Sequence, residues 1–432
     1  MMKREVGIGI LGLGHVGKGT LDIIHKNRAF IEKEITPCKI KLTGLADLDI
    51  KRKPEIEQYH SIFTNSAQKV IEHPEVQIIV EVIGGEYPAY NLIKKALEMG
   101  RHVVTSNKEV VAKHGYELLT IARKNQVQFL FETSVGSAMP ILGVISNILT
   151  SCPLDEITGI LNGTTNYILD LMFEKNMTQQ EALKKAQEMG YAEADPGKDI
   201  LGLDALYKIF ILSSLGFRTR LNLNQIDYSG ISNITQEDIQ LAKQLGYRIK
   251  LLAMANKKQD QLDIRVQPVL IEQEHFLAHI NGVNNGIFLH GENYGELFFS
   301  GAGAGGVAGG SMIVSDIIRT IRQPQYFEYD YLVKDSKESE VRSFDQEENS
   351  YFLRIQQEEK QDNRNRIEVI LAKNNISIED ISKVTDKENR FMIGFLTARL
   401  QEEIINKALK EIGQQISCAK VENCIKVYHS TR

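Results

Sequence analysis

A glycine-rich hexapeptide near the start of the chain restricts the fold more than any other feature. Gly12-Leu13-Gly14-His15-Val16-Gly17 has the spacing G-x-G-x-x-G, and it lies between the apolar, β-like segment Glu5–Leu11 and a helix predicted over 18–26. In such a setting the first glycine permits a tight turn, the second lets backbone approach a pyrophosphate, and the third lets the helix pack closely. The motif therefore predicts a dinucleotide-binding fold, against the less specific interpretation of a mere glycine-rich turn.

Strands and helices continue to alternate after this motif, which predicts a parallel sheet of the Rossmann type. The next strand, Lys39–Ala46, ends at Asp47, where such folds meet the adenosine ribose. Asp47 favours the free 2'-hydroxyl of NAD, whereas the basic run Lys51-Arg52-Lys53 just beyond could hold the 2'-phosphate of NADP. The sequence leaves both cofactors open.

Two further strands are predicted to end at the same edge of this sheet. Residues 76–83 are nearly all apolar, as in a strand covered on both faces, and they run into Gly84-Gly85, where backbone can approach a cofactor. The strand His102–Thr105 runs into Ser106-Asn107-Lys108. A lysine at the carboxyl edge of such a sheet lies where open α/β sheets bind ligands, although most lysines are simply exposed on the surface. Lys108 is therefore a candidate site residue, with a surface role as the alternative.

A carboxylate-rich segment, 190–208, is the second feature with the composition of a site. The preceding helix is predicted to stop at Gly190, and another helix is predicted to begin near Leu201. On that helix Asp204 and Lys208 are spaced i, i+4, so a carboxylate stands beside an amine on one face. Most such pairs are solvated ion pairs, but the apolar residues around this one leave little wet surface, which favours a functional role.

A cation site is predicted where the first region ends. The strand expected over 128–133 carries Glu132 and leads into a turn of mostly small residues, 134–140. Such a turn exposes backbone carbonyls beside a carboxylate, which is the hard-oxygen environment that suits a monovalent or divalent cation.

The most glycine-rich run of the chain, 301–310, lies between a strand predicted over 297–300 and an apolar helix predicted over 312–321. Composition alone favours a flexible linker. Because a helix N-terminus again follows bare backbone, a second contact to the cofactor is at least as well supported.

Composition excludes several function classes. The formal net charge is −5, with 51 Lys and Arg against 56 Asp and Glu, so nothing points to nucleic acid or an anionic membrane as partner. The 4 cysteines lack metal-type spacing and suggest no disulfide framework, which fits a reducing cytosol. No apolar run reaches the length of a membrane span, and the first predicted strand leaves no room for a signal peptide. We therefore expect a cytoplasmic protein.

Several segments occur in one order that resembles the homoserine dehydrogenase family. They are the glycine motif at Gly12, Thr105-Ser106-Asn107-Lys108, the sequence GILNGTTNYIL at 159–169, the acidic segment up to Lys208, and the GAGAG loop at 301–305. The resemblance covers about residues 1–325. It implies an enzyme that interconverts L-aspartate 4-semialdehyde and L-homoserine with NADP(H) or NAD(H), in the biosynthesis of threonine, methionine and isoleucine. It also implies a homodimer or homotetramer.

The resemblance assigns roles to individual residues. It implies that Lys208 donates a proton to the aldehyde oxygen, that Asp204 orients it, and that Lys108 lies near nicotinamide and substrate and can share the acid/base role. It implies that Glu193 and Asp199 hold the substrate, with Glu193 as the partner of its ammonium. The expected cofactor contacts are Gly12, Leu13, Gly14, His15, Val16, Gly17, Asp47, Gly84, Ser106, Lys108 and Gly305. The implied sodium ligands are Glu132 and the backbone of Val135, Ser137 and Met139.

The remaining residues are predicted to fold in the order β-α-β-β-α-β, with strands at 351–355, 377–384, 390–397 and 419–427 and helices at 368–373 and 401–412. This order resembles the ACT domain that many homoserine dehydrogenases carry at this end, often for inhibition by threonine. Two departures from the family pattern stand out. The ACT ligand turn, Asp-x-Pro-Gly, is replaced by Gln361-Asp362-Asn363-Arg364, which argues against a threonine site and favours an assembly module as the alternative. Gly309-Gly310 stands where a Thr-Ala pair is usual, so a hydroxyl that could cap a helix is missing.

At 432 residues the chain is too long for one hydrophobic core. We expect an α/β dinucleotide-binding domain at 1–140, completed by about 301–325, an α+β substrate and dimerisation domain at 141–300, a linker at 326–345, and an ACT-like domain at 346–432. Within the middle domain a helix is expected over 238–251. The alternative function is a catalytically inactive, cofactor-binding regulatory protein on the same fold, which would be expected to have lost part of the Asp204 and Lys208 set.

Overall fold

Two β-sheets, one of six strands and one of ten, carry the fold in this computed structural model. The structure describes residues 4–53, 57–259, 261–334, 337–342, 348–357, 364–385, 390–416 and 419–429. Neighbouring strands of the first sheet are parallel, whereas those of the second are mostly antiparallel. The expected fold class, an α/β Rossmann-type part joined to an α+β part, is confirmed.

The elements follow in chain order. The strands are β1 (Glu5–Leu11), β2 (Lys39–Ala46), β3 (Phe63–Thr64), β4 (Val76–Glu81), β5 (His102–Thr105), β6 (Phe129–Leu130), β7 (Glu156–Ile160), β8 (Asp227–Tyr228), β9 (Tyr247–Lys258), β10 (Gln261–Glu272), β11 (Asn284–Gly291), β12 (Gly295–Ala302), β13 (Tyr351–Gln357), β14 (Ile378–Thr385), β15 (Phe391–Thr397) and β16 (Ala419–Val427). The helices are α1 (His15–Phe30), α2 (Ala67–Glu72), α3 (Ala89–Glu98), α4 (Lys108–Lys124), α5 (Thr133–Gly136), α6 (Ile141–Gly143), α7 (Gly163–Lys175), α8 (Gln179–Glu188), α9 (Gly197–Ile200), α10 (Leu203–Gly216), α11 (Gln236–Gln244), α12 (Gly306–Arg322), α13 (Tyr331–Lys334), α14 (Arg364–Lys373) and α15 (Glu402–Gln415).

The first sheet has the strand order β3-β2-β1-β4-β5-β6. This is the order of a Rossmann fold, in which ligands bind at the carboxyl ends of the strands where the strand order reverses, here between β1 and β4. Every residue of β1 after Glu5 is buried, as in a sheet covered on both faces. The sheet therefore offers its ligand edge at the glycine motif that directly follows β1.

Helix α12 comes from much later in the chain and packs against α1. The two helices approach so closely that a Cβ atom at Gly310 would lie 2.5 Å from the backbone of Gly19 and Thr20. Alanine, the residue usual in the family at 310, would not fit this approach without a shift. Glycine at position 310 is thus explained by helix packing.

The second sheet runs in the order β12-β11-β7-β9-β10-β16-β13-β15-β14, and β8 pairs with β10 from the side. Strands β9 and β10 form a long antiparallel hairpin. Strand β16 joins β10 in parallel through Val269 with Lys426 and Leu270 with Val427. The last strand of the chain therefore extends the sheet of the middle region.

Two predicted elements are wrong. The helix expected over 238–251 is α11 followed by β9, because Gly246, with φ +83°, lies between them and the apolar residues beyond it form a buried strand. An apolar run of this length fits a buried strand as well as a helix. The strand expected over 128–133 is limited to β6, and Thr133 begins the helical turn α5.

Residues 348–429, as far as the structure describes them, are called the C-terminal unit below. Their elements follow in the order β13-α14-β14-β15-α15-β16, as predicted, and enclose a hydrophobic core that includes Tyr351, Leu353, Phe395 and Ile405. Residues 361–363 of the segment that replaces the ACT ligand turn lie outside the described residues.

The stretch 326–345, expected to be a linker, is partly packed against the first region. Tyr329 is 2% exposed, and its ring centroid lies 4.5 Å from that of Phe131. Leu332 of α13 is also buried. The aromatic and apolar side chains between the charged residues explain the difference, because they bury against the helices of the first region.

Within the described ranges, we find no helix with the length and apolar character needed to span a bilayer. Cys38, Cys152 and Cys424 carry free thiols.

Candidate active site

Asp204 and Lys208 lie one turn apart near the start of α10. Lys208 Nζ is 2.9 Å from Asp204 Oδ2, and the two side chains are 8% and 6% exposed. The ammonium also donates to the carbonyl oxygen of Leu161, 2.6 Å away, just after β7. The pair is therefore buried, and the solvated ion pair considered from the sequence does not apply.

Lys108, the first residue of α4, reaches the other oxygen of the same carboxylate. Its Nζ lies 2.5 Å from Asp204 Oδ1, and its side chain is 41% exposed. Asn107 caps α4 by accepting from the Val110 amide, and its Nδ2 donates to the carbonyl of Gly85 at 2.7 Å. Lys108, Asp204 and Lys208, called the lysine cluster below, thus lie at the carboxyl edge of the first sheet, beside the turn that follows β4.

The lysine cluster separates the pKa values of its two amines. Burial lowers the pKa of Lys208, and the charge of Lys108 lowers it further, although Asp204 opposes both. The carboxylate of Asp204 raises the pKa of the more accessible Lys108. Burial alone would raise the pKa of Asp204, but the two ammonium groups hold it well below its usual range. Lys208 therefore releases its proton more readily than Lys108 does.

Asp199 joins this cluster through Asn162, a residue to which the sequence assigned no role. Asn162 Nδ2 donates to Asp199 Oδ1 at 2.6 Å and to Asp204 Oδ2 at 2.9 Å. Its Oδ1 accepts from the Thr165 amide at 2.7 Å, so Asn162 also caps α7. Burial and the charge of Asp204 raise the pKa of Asp199. An asparagine directly before a helix is a recognisable capping signal, but the spacing does not reveal its contact with two distant carboxylates.

Glu193 lies in the loop between α8 and α9, and its side chain is exposed. Its charge contributes to the raised pKa of Lys108, so the carboxylate acts on the same site. Next to it, the hydroxyl of Thr164 donates to the carbonyl of Tyr191 at 2.8 Å, which ties this loop to the start of α7.

The glycine motif lies where two helix N-termini meet. Helix α1 begins at His15, and Gly306 at the start of α12, directly after Gly305, packs against the carbonyl oxygen of His15. A Cβ atom at Gly14 would have Arg52 Nη1 as its nearest neighbour, 3.7 Å away, so the space over this glycine is open. Leu13 is buried, Val16 half-buried and His15 exposed. Unpaired amides of two helices beside open backbone form a site for an anion such as a pyrophosphate.

Asp47 follows β2, as the sequence predicts, and contacts the glycine motif. Its Oδ2 accepts from the Leu13 amide at 2.7 Å, and its Oδ1 accepts from the Asp49 amide at 2.9 Å. Arg52 Nη1 lies 3.5 Å from Asp47 Oδ2, and the arginine side chain is 49% exposed. Lys51 and Lys53 are exposed as well. A carboxylate and an accessible guanidinium therefore share the position at which an adenosine ribose is expected.

A buried carboxylate that the sequence did not single out supports the turn at Gly84. Glu81, the last residue of β4, is 0% exposed, and its Oε1 accepts from the Ile83 amide at 2.7 Å. Its Oε2 accepts from the hydroxyl of Thr105 at 2.6 Å. This links the turn after β4 to the end of β5, where the half-buried Ser106 precedes Lys108. The signal in the sequence was a charged residue inside an otherwise apolar strand.

Glu132 lies beside the turn that carries Val135, Ser137 and Met139. Its two carboxylate oxygens accept from the Leu142 and Gly143 amides, each at 2.7 Å. Among the described residues no group of three or more His, Cys, Asp or Glu side chains is arranged to hold a metal ion. A cation at this turn would therefore depend on backbone carbonyls.

Glu132 also belongs to a second buried group of charges, Glu132, Asp316, Arg319 and Glu328, called the arginine cluster below. Arg319 Nη1 lies 3.3 Å from Glu132 and 3.0 Å from Asp316, and Nη2 contacts Glu328. The three carboxylates are 3%, 0% and 4% exposed, and Arg319 is 30% exposed. Burial and Asp316 raise the pKa of Glu132, and burial raises that of Asp316.

The chain is similar to one family over most of its length. A family model described as homoserine dehydrogenase matches residues 140–318, and one described as homoserine dehydrogenase, NAD binding domain, matches residues 12–132. A homoserine dehydrogenase of Neisseria gonorrhoeae is 34% identical over 424 residues, which are 96% of this chain and 97% of that protein. The chain belongs to the homoserine dehydrogenase family.

Solved structures agree with this membership. A homoserine dehydrogenase from Thiobacillus denitrificans has a TM-score of 0.87 at 32% identity, with 98% of each chain covered. A hyperthermophilic archaeal homoserine dehydrogenase in complex with NADPH has a TM-score of 0.63 at 27% identity, covering 74% of this chain and 98% of that one. The chain is thus an NAD(P)-dependent oxidoreductase, and its open glycine motif between two helix N-termini fits a nicotinamide dinucleotide.

Proposed function

We propose that this chain interconverts L-aspartate 4-semialdehyde and L-homoserine, as a step in the biosynthesis of threonine, methionine and isoleucine, with Lys208 as the acid and base. The observation that carries the proposal is the buried carboxylate of Asp204 between two ammonium groups, at the ligand edge of the Rossmann sheet. The names of the relatives support the choice of substrate.

Lys208 is suited to move a proton in both directions. When bound, the nicotinamide supplies a hydride to the aldehyde carbon. The aldehyde oxygen then gains negative charge, which a neighbouring ammonium stabilises and neutralises by donating its proton. Because burial lowers the pKa of Lys208, its neutral amine is also available to accept a proton from the hydroxyl of homoserine. Asp204 and the carbonyl of Leu161 hold the ammonium in one orientation.

Lys108 differs from Lys208 in the direction of its pKa shift. Asp204 raises the pKa of Lys108, so Lys108 holds its proton more firmly than Lys208 does. We assign it to stabilisation of the negative oxygen and to contact with the nicotinamide and the substrate. Its charge also makes Lys208 a weaker base than a free lysine, which assists the return of the proton.

Glu193 and Asp199 are proposed to hold the amino group of the substrate. Glu193 is exposed next to the cluster, so its carboxylate is available to the substrate ammonium. Asp199 is held by Asn162, which fixes its position relative to Asp204. A substrate bound between them places its carbonyl end toward the lysine cluster.

NADP(H) is proposed as the preferred cofactor, with NAD(H) also accepted. The dinucleotide would be held by Gly12, Leu13, Gly14, His15, Val16, Gly17, Asp47, Gly84, Ser106, Lys108 and Gly305. Arg52 supports the preference, because its guanidinium is exposed beside Asp47 and over Gly14 and can pair with a 2'-phosphate. Asp47 already accepts from two amides, which leaves it less free for a ribose hydroxyl.

A sodium ion is proposed at the Glu132 turn, with the carbonyl oxygens of Val135, Ser137 and Met139 as further ligands. The surplus of buried carboxylates in the arginine cluster supports a cation here. Sodium binding competes with protonation of Glu132, so it requires a pH above the raised pKa of that carboxyl.

The C-terminal unit is proposed to be an ACT-like domain that serves assembly into a homodimer or homotetramer, with threonine as a secondary candidate ligand. Its β-α-β-β-α-β order supports the ACT assignment. A cytoplasmic location is proposed from the free thiols and the composition.

One assay tests the proposed function. The appearance of reduced nicotinamide is followed by absorbance with L-homoserine and each oxidised cofactor in turn, and again with threonine added. We expect homoserine-dependent turnover, with a lower KM for NADP than for NAD. A chain that binds NADPH but shows no turnover would favour the alternative of an inactive regulatory protein. The presence of Lys108, Asp204 and Lys208 in one cluster supports the active enzyme.

A further inference from the structure

The C-terminal unit is joined to the middle region by a buried ion pair. Arg354 of β13 is 4% exposed, and its Nε donates to Asp238 Oδ1 of α11 at 2.7 Å. Asp238 is 0% exposed. Loss of one partner of such a pair leaves a buried charge without compensation, so the contact strongly constrains how the two parts fit together.

The other carboxylate oxygen of Asp238 accepts two further hydrogen bonds. Its Oδ2 accepts from the Thr235 amide at 2.9 Å and from Asn423 Nδ2 at 3.1 Å. The same Asn423 amide group donates to the carbonyl of Asn233 at 3.3 Å. Asn423 lies directly opposite Arg354 in the ladder between β13 and β16. Two adjacent strands of the C-terminal unit therefore hold the segment 229–235, called the connecting segment below.

The connecting segment contacts the residues that directly precede α10. The Ile231 amide donates to the carbonyl of Ile200 at 2.9 Å. Gly230 packs so tightly there that a Cβ atom would lie 1.8 Å from the same carbonyl oxygen. On the other side, Gln179 of α8 donates to the carbonyl of Ile231 at 2.6 Å. The connecting segment therefore cannot move without displacing Ile200.

Ile200 lies at the turn between α9 and α10, the two helices that carry the carboxylates of the site. It ends α9, the helix that carries Asp199, and α10 with Asp204 begins at Leu203. The Gly202 amide donates to the carbonyl of Asp199 at 2.9 Å, which closes this turn. A shift of Ile200 would thus move both carboxylates that Asn162 binds.

We propose that Arg354 and Asn423 are positioning residues for Asp199 and Asp204, acting through Asp238 and the connecting segment. This rests on the roles proposed above for Asp199 and Asp204. The C-terminal unit is then a support of the substrate site, and a movement of its sheet changes the affinity for the substrate. The match to the archaeal homoserine dehydrogenase covers 98% of that chain but only 74% of this one, so part of this chain has no counterpart there. We therefore attribute the dependence of the substrate site on the C-terminal unit to the present chain and not to the fold.

The first test is Arg354→Met in the full chain. We expect the KM for homoserine, and its Kd by calorimetry with reduced cofactor present so that no turnover occurs, to rise about tenfold, because the carboxylates that hold the substrate are displaced. The Kd for the reduced cofactor alone, measured by its fluorescence, should stay within about twofold, since none of the contacts described above reaches the glycine motif. A homoserine Kd equal to that of the unaltered chain would overturn the proposal.

A second variant separates positioning from stability. Arg354→Met combined with Asp238→Asn removes both buried charges, so the Tm should recover most of what the single variant loses. The Kd for homoserine should stay raised, because the bonds that hold the connecting segment are still altered. A homoserine Kd that recovers together with the Tm would show that Arg354 acts through stability alone.

Two further variants complete the design. Asn423→Ala keeps the buried ion pair and is therefore informative even if Arg354→Met fails to fold; we expect a smaller rise of the homoserine Kd at a nearly unchanged Tm, and an unchanged Kd would contradict the proposal. Lys373→Met is the matched control, because Lys373 is 65% exposed and pairs with Glu411 within the C-terminal unit. It should leave the homoserine Kd unchanged. Calorimetry reads substrate binding even in a chain without turnover, so failure of the proposed function would be recognised separately.

Discussion

The lysine cluster and the arginine cluster both centre on buried carboxylates, but their charges are in opposite balance. In the lysine cluster two ammonium groups share one carboxylate, whereas in the arginine cluster one guanidinium contacts three carboxylates. The pKa of Asp204 is accordingly held far below its usual range, and that of Glu132 is raised. A positive surplus suits an oxygen that becomes negative during a reaction, and a negative surplus suits a proton or a bound cation.

Removal of Lys208 should have the largest effect. In Lys208→Met we expect kcat/KM for homoserine to fall about a thousandfold, because the group that transfers the proton is lost. The Lys108 to Asp204 ion pair remains, so the Kd for NADPH should change little. Steady-state kinetics and fluorescence titration measure both quantities. Near-normal turnover would remove Lys208 from the chemistry.

Removal of the Arg319 guanidinium should lower the free energy of unfolding more than it lowers the catalytic rate. Arg319→Met leaves three buried carboxylates without a cation, and we expect the free energy of unfolding at neutral pH to fall by about 3 kcal/mol. Lower pH should restore part of the loss, because the carboxyl groups can then take up protons. Urea unfolding at two pH values tests this. Arg28→Met is the control, since Arg28 is 47% exposed and pairs with Glu32 within one helix. If both variants lose the same stability, the arginine cluster has no special role.

Removal of the Lys108 ammonium should shift the pH dependence of homoserine oxidation. In Lys108→Met the charge that lowers the pKa of Lys208 is gone, and Asp204 acts on Lys208 alone. The pKa of Lys208 should therefore rise. The rate of homoserine oxidation depends on the neutral amine, so its rise with pH should shift to higher pH. A profile that does not move, or moves to lower pH, would contradict the proposed coupling of the two lysines.

Neutralisation of the Glu132 carboxylate should have the smallest of the four effects, a change in how stability depends on pH. The raised pKa of Glu132 means that the folded chain binds more protons than the unfolded chain between the usual carboxyl range and the raised value. The contribution of Glu132 to stability is therefore greatest below the ordinary carboxyl pKa of about 4.3 and falls as the pH rises towards neutrality. Glu132→Gln should flatten this decline in thermal unfolding curves.

Sodium provides the control for that experiment. At mildly basic pH, replacing choline chloride by sodium chloride at equal ionic strength should raise the Tm of the unaltered chain and not that of Glu132→Gln. Equal responses of the two chains would argue against a sodium site at this turn.

Much of the fold was predictable because local signals bound its elements. The predicted limits of β1, β2, β5 and β16 coincide with those in the structure, since each apolar or alternating run ends at a glycine, a polar residue or a change of pattern. The helix expected over 238–251 failed because the apolar run after Gly246 has no period that distinguishes a helix from a buried strand. Tertiary pairing with β10 decided its form.

The site was less predictable than the fold, for a physical reason. The i, i+4 spacing brings Asp204 and Lys208 together, but nothing local indicates that Lys108, far away in the chain, reaches the same carboxylate. Position and spacing made each lysine a separate candidate, and only the resemblance to the family gave both a role in one reaction. The double contact of Asn162 and the pair of Arg354 with Asp238 also join distant segments, and such pairs leave no periodic signal in a sequence.

The parallel pairing of β10 with β16 has a consequence for how the chain is made. While the chain emerges during synthesis, the end of β10 at Val269 and Leu270 presents an open backbone edge until almost all later residues have followed. Native pairing of this edge is a late event that closes a very long loop, which is slow compared with the formation of the Rossmann half. Newly made chains are therefore most prone to aggregate in this interval, through an edge that the finished protein does not expose.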